Sequence, residues 1–141
     1  MKKNILLFFL SCTLFACSDA NLTLFSSGST ITNVKFVVKT TGNHTAKVST
    51  VFLESGFFKL DDTFDVNSFP FTKEYKERSV QNAASMLLKY EDKSTKVTSS
   101  YTVVLQIFQD NILLKEEEFV ISSINKEASV TAGFIVGNGG I

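Results

Sequence analysis

Two cysteines, one histidine and two acidic groupings hold most of the side chains with which this chain could do covalent, metal or acid–base chemistry. His44 follows Gly42 and Asn43, a placement that marks a turn residue rather than the base of a Ser-His-Asp arrangement or part of a His-rich metal site. Asp61, Asp62 and Asp65 are the candidate oxygen ligands for a calcium ion, which takes about six to eight oxygens. They lack an Asp-x-Asp spacing and a loop glycine, so a solvated acidic turn is the expectation, with no metal or other cofactor. Glu116-Glu117-Glu118 puts like charges on consecutive positions. Neighbours on a strand face opposite ways, which fits a charged edge strand better than a facing pair of glycosidase carboxylates. The residue types therefore point away from an enzyme.

The cysteines mean something else. Lys2 and Lys3 precede a mostly apolar stretch from Ile5 to Phe15, and Leu14-Phe15-Ala16-Cys17 closes it. That stretch has the length of a signal-peptide core and is shorter than the ~20 residues needed to span a bilayer. A cysteine after a leucine-led triplet ending in a small residue resembles the lipobox of bacterial lipoproteins. The resemblance implies cleavage before Cys17 and acylation of that cysteine, the one covalent lipid expected on the chain. Cys12 would leave with the signal peptide, and the mature domain would keep no thiol for a disulfide, nucleophile or metal. Ser18 after the cysteine resembles outer-membrane sorting in enterobacteria, so the expected location is the bacterial cell envelope, in the outer rather than the inner membrane.

The elements behind the anchor follow a period of two. Val34, Phe36 and Val38 alternate with lysines; Ala46, Val48, Thr50 and Phe52 repeat the pattern after the Gly42-Asn43-His44 turn. Val37 breaks the alternation and suggests cover on both faces. Acidic turns are expected around Asp61-Asp62 and from Asp65 to Ser68. Phe69, Phe71 and Tyr75 begin another strand, with Pro70 suited to a strand start or an edge. Met86, Leu88 and Tyr90, then Tyr101, Val103, Leu105 and Ile107, alternate in turn. Asp110-Asn111 is a two-residue hairpin signal leading to Ile112 and a strand ending at Ile121. Ala128 to Val136 makes the last strand. Ser79 to Tyr90 also reads as a helix through Val80, Ala83, Ala84, Leu87 and Leu88.

The sum is an all-β chain: an antiparallel β-sandwich of about seven strands, two sheets sharing an aromatic and β-branched core. Its expected division is a signal peptide at 1–16, a tether at 17–30, one sandwich domain at 31–137 and a frayed end at 138–141.

Val34 to Lys39 with Thr40-Thr41-Gly42, then Ala46 to Val51, resembles the opening hairpin of small secreted domains of the MmpS type. Phe69-Pro70-Phe71-Thr72-Lys73 is similar to that family's aromatic-proline strand, and Tyr101 to Leu114 to its Asp-led hairpin. The resemblance covers Ile31 to Gly137. It implies an immunoglobulin-like sandwich assisting an envelope transporter.

Charge is balanced over the chain, and no basic cluster is interleaved with aromatics, which disfavours a nucleic-acid partner. Phe57, Phe58, Phe69 and Phe71 are the candidate binding residues, an aromatic group either exposed for a ligand or plugging one end of the sandwich. The expected function is a non-enzymatic, lipid-anchored envelope protein that binds a protein partner or supports another component. The alternatives are an accessory lipoprotein of an efflux-type system and a surface glycan-binding module.

Overall fold

The computed structural model describes residues 29–134, apart from 43, 55, 56, 82 and 83. Among these, every regular element is a strand: β1 Ser29–Thr40, β2 Ala46–Glu54, β3 Phe57–Val66, β4 Phe71–Gln81, β5 Ser85–Asp92, β6 Tyr101–Gln109, β7 Ile112–Ile121 and β8 Glu127–Gly133. They build two antiparallel sheets, a first in the order β4-β1-β6-β7 and a second in the order β3-β2-β5-β8. The molecule is thus the all-β sandwich its sequence pattern dictates. Its wiring is a particular route through two layers. Constant-type immunoglobulin sheets keep the first two strands side by side, whereas β1 and β2 here lie in opposite sheets and the hairpins are β2–β3 and β6–β7.

Side-chain alternation explains where the core sits. Val34, Phe36 and Val38 of β1, Val48 and Phe52 of β2, Met86, Leu88 and Tyr90 of β5 and Val103, Leu105 and Ile107 of β6 all point between the sheets and are buried. These central strands supply most of the core, because edge strands cover only one flank of it. Each such side chain contributes about 1.5–3 kcal/mol by leaving water. Phe36, Phe52 and Tyr75 meet edge to face at 5.3–6.0 Å, joining the two sheets through one aromatic cluster. Val37 lies on the opposite face of β1 and is buried there too, as is Gln106 paired with it across β6.

Two expectations need correction, and one pair of alternatives is decided. The acidic stretch at Asp61, Asp62 and Asp65 is no turn; it is the body of β3, in register with β2 from Ala46↔Val66 to Glu54↔Phe57. As an edge strand, β3 tolerates the charges that a central strand would reject. Between the two readings of Ser79 to Tyr90, the strand holds over the helix: Ser79 to Gln81 end β4, Ser85–Asp92 is β5, and Met86, Leu88 and Tyr90 alternate into the core. Finally, Ser29 and Thr30, assigned to the tether by composition, pair with Gln81 and Val80 and open β1. Residues 1–28, on which the expected signal peptide and Cys17 fall, lie outside the described residues, as do 135–141. No helix among the described residues is long and apolar enough to cross a membrane.

Pro70 follows a cis peptide bond and immediately precedes β4, an edge strand. The Asp110-Asn111 hairpin forms as its residues require: both have positive φ, 47° and 67°, in a two-residue loop between β6 and β7. Asp110 then braces the turn. Its carboxylate accepts from the Thr32 hydroxyl at 2.7 Å and the Asn33 backbone N–H at 2.8 Å, where β1 carries an irregularity in its register. These bonds hold the Asp110 carboxyl below the ordinary carboxylate range.

Candidate functional site

Three polar arrangements stand out against the apolar interior. The first caps the end of the sandwich where β5 stops and β6 starts. Tyr101, at the first position of β6, points inward and donates its hydroxyl proton to the Asp92 carboxylate, while the Tyr90 hydroxyl lies 2.7 Å from it and so acts as donor to Tyr101. Asp92 also accepts from the Ser94 backbone N–H at 2.6 Å. Burial by itself would raise the Asp92 carboxyl, but the bonds from Tyr101 and Ser94 and the nearby His44 together lower it. Burial, then the bond to Asp92, pushes the Tyr101 hydroxyl far above its ordinary value.

His44 joins this network from the β1–β2 connection. Its ring stacks on Tyr101 with centroids 3.6 Å apart and planes 8° from parallel. Its Nε2 is enclosed without a hydrogen-bond partner. A cavity of about 60 Å³ opens beside it, lined by Asp92, Ser94, Lys96 and Ser99 among others. Sequence reading places His44 in a turn but misses these partners, which lie about fifty residues on and are brought together only by sheet pairing. Gly42 permits the arrangement: its φ of +115° suits glycine, and a Cβ there would stand 3.4 Å from His44 Nε2.

The second arrangement ties the sheets together. Tyr75 reaches from β4 to the second sheet, where its oxygen lies 2.6 Å from the buried Thr50 hydroxyl and its proton goes to Asp62 Oδ2 at 2.7 Å. Burial and then the neighbouring carboxylate push the Tyr75 hydroxyl above the usual phenol range, although the Thr50 bond opposes this. Asp62 is therefore an acceptor inside the fold's own network. Asp65 lies opposite Lys47 in the register and is exposed, while Asp61 lies opposite Val51 with a side chain outside the described residues. The register thus puts Asp62 and Asp65 on opposite faces of β3 and does not assemble a ligand set from them.

The third arrangement is a groove of about 560 Å³ on the second sheet. Two rungs of the ladder form its floor. Lys47, Glu91 and Glu127 pair across β2, β5 and β8, as do Ser49, Lys89 and Ser129 one step along. Phe119 and Asn125 add an aromatic wall and an amide. Two ammonium groups, two carboxylates and two hydroxyls give a surface of mixed sign, rich in donors and acceptors. No single segment of the sequence signals this groove, since its floor is drawn from three strands.

The remaining candidates are dispersed. Phe69 packs 6.1 Å from Tyr90, and Phe71 packs 5.4 Å from Phe64, both half-buried against the core. Phe57 and Phe58 open β3, and their side chains lie outside the described residues. Glu116 and Glu118 of β7 are opposite Gln106 and Val104, whereas Glu117 is opposite the core residue Leu105 and pairs with Lys115 at 3.2 Å. β7 is the edge strand that its charge run suggests. No family model, curated protein or solved structure matches this chain.

Proposed function

We propose that this protein is a lipid-anchored binding module of the bacterial cell envelope, tethered through an acylated Cys17 and holding its ligand or partner non-enzymatically in the groove on the second sheet. The observation that carries the binding reading is the pair of three-strand rungs, Lys47-Glu91-Glu127 and Ser49-Lys89-Ser129, lining one concavity beside Phe119. The anchoring reading is carried by Leu14-Phe15-Ala16-Cys17 closing a short apolar run behind Lys2 and Lys3. The non-enzymatic reading is supported by the state of the groups that might otherwise act as acids or bases. Asp62 and Asp92 are spent as acceptors in structural networks, and burial keeps the tyrosine hydroxyls protonated.

A neutral surface dense in hydroxyl, amide and charged groups around one aromatic suits a polyhydroxylated ligand, which favours a glycan-binding module as the more specific form of this reading. Screening the full chain against a glycan array, alongside Lys89→Ala and Phe119→Ala variants, tests it. Binding that both substitutions weaken at least several-fold is the expected result. Binding indifferent to both would remove the groove as the site, and binding to a protein but to no glycan would leave the envelope-support reading, of which a transporter accessory is one case.

A further inference from the structure

We propose that the end of the sandwich carrying Ile31, Ile112 and Leu113 docks onto a lipid bilayer, so that the anchored protein stands end-on with its groove turned away from the membrane. The proposal rests on the reading that Cys17 is acylated. Ile31 is 71% exposed, Ile112 61% and Leu113 47%, although aliphatic side chains contribute nothing to folding when left in water. All three flank one structural point. Ile31 precedes Thr32, whose hydroxyl is bound by Asp110, and Ile112 and Leu113 leave the Asp110-Asn111 turn on its other side.

The turn is rigid by construction, not merely long enough to reach outward. Asp110 is fixed to Thr32 and Asn33, and Lys35 donates to the Asn111 side chain at 3.2 Å while its ammonium lies over the Phe108 ring. Its aliphatic residues are therefore presented in a fixed geometry, which removes an ordering cost from insertion. The charges of the turn itself, Asp110 and the Lys35 that reaches over it, are engaged within the protein, which makes the contact at Ile112 and Leu113 apolar and not a matter of anionic headgroups.

Position supplies the occupant. β1 begins at Ser29, two residues before Ile31, and Cys17 lies twelve positions upstream. Twelve residues reach at most about 40 Å when fully extended. An acyl anchor at Cys17 thus holds this end of the sandwich near the bilayer at high effective concentration, so a weak apolar contact suffices. Ile124, 96% exposed, lies past the other end of β7, roughly 30 Å away at strand spacing, beside the groove residue Asn125.

The test uses the full lipidated chain in phosphatidylethanolamine–phosphatidylglycerol vesicles containing a lipid-borne fluorescence quencher. Ile112→Cys and Ile124→Cys are each labelled with an environment-sensitive dye. The expected result is quenching several-fold stronger at position 112 than at 124, unchanged at ~1 M salt, where the Debye length falls to about 3 Å. A second pair, Ile31→Cys with and without I112S/L113S, is expected to lose most of its quenching in the variant lacking the aliphatic residues. Equal quenching at 112 and 124, or shielding of 112 in native envelopes but not in vesicles, would overturn bilayer docking, the latter in favour of a protein partner. The parent chain without an introduced cysteine separates the two readings. Dye uptake there would reveal a free Cys17 thiol and overturn the anchor together with the docking; no uptake with an unquenched Ile112→Cys would overturn the docking alone.

Discussion

Tyr75, Tyr90 and Tyr101 are the three tyrosines of this chain, and each has its hydroxyl drawn into the interior. Burial raises all three above the ordinary phenol value. A raised acid group stabilises the fold below its unfolded value, near pH 10, and that contribution is lost as pH rises toward the folded value. Spectrophotometric titration at 295 nm is therefore expected to show no tyrosinate at pH 10 and then a single cooperative rise coinciding with unfolding; a three-tyrosine titration centred on 10 with the fold intact would contradict the network. Asp92 and Asp110 have the opposite sign. Their lowered carboxyls stabilise the fold above the unfolded value near 4, and that stability falls away as pH drops through the folded values. Asp110→Ala is expected to cost about 1 kcal/mol by denaturant unfolding at neutral pH, since the turn is exposed and its bonds compete with water. The difference from the parent should shrink at pH 3.

Phe36 lies at the meeting of both sheets, with no exposed surface and edge-to-face contacts to Phe52 and Tyr75. Phe36→Ala is expected to destabilise by about 3–5 kcal/mol, measured by chemical denaturation. The edge strand β7 makes a different prediction. Lys115 and Glu117 stand opposite the core residues Ile107 and Leu105, and replacing both with valine should produce concentration-dependent association on sedimentation, because inward charge discourages edge pairing. The strands with clean alternation, such as Val34-Phe36-Val38 and Tyr101-Val103-Leu105-Ile107, were legible from residue types alone because both of their flanks are paired and the core dictates one face. β3 was not, since Asp61, Asp62 and Asp65 mimic a solvated turn and only pairing with β2 makes them a strand. The groove was illegible for a related reason. Ser49, Lys89 and Ser129 are forty residues apart and adjacent only through sheet register.

At the scale of the whole molecule, the proposals assign the two ends of the sandwich different tasks. β1 brings the chain from Cys17 into one of them, alongside the aliphatic turn at Ile112 and Leu113, while the groove and the His44–Tyr101 stack lie toward the other. A rigid spacer between an anchor and a binding face suits such a plan, and an all-strand domain supplies it without a disulfide. Everything in this arrangement depends on Cys17 being the point of attachment. The most direct measurement is metabolic labelling with radioactive palmitate followed by mass determination of the mature N-terminus. Label on the parent chain, an N-terminus at Cys17 carrying the acyl mass, and no label in Cys17→Ala are the expected results. Label retained in Cys17→Ala, or an unmodified mature chain, would contradict attachment through Cys17.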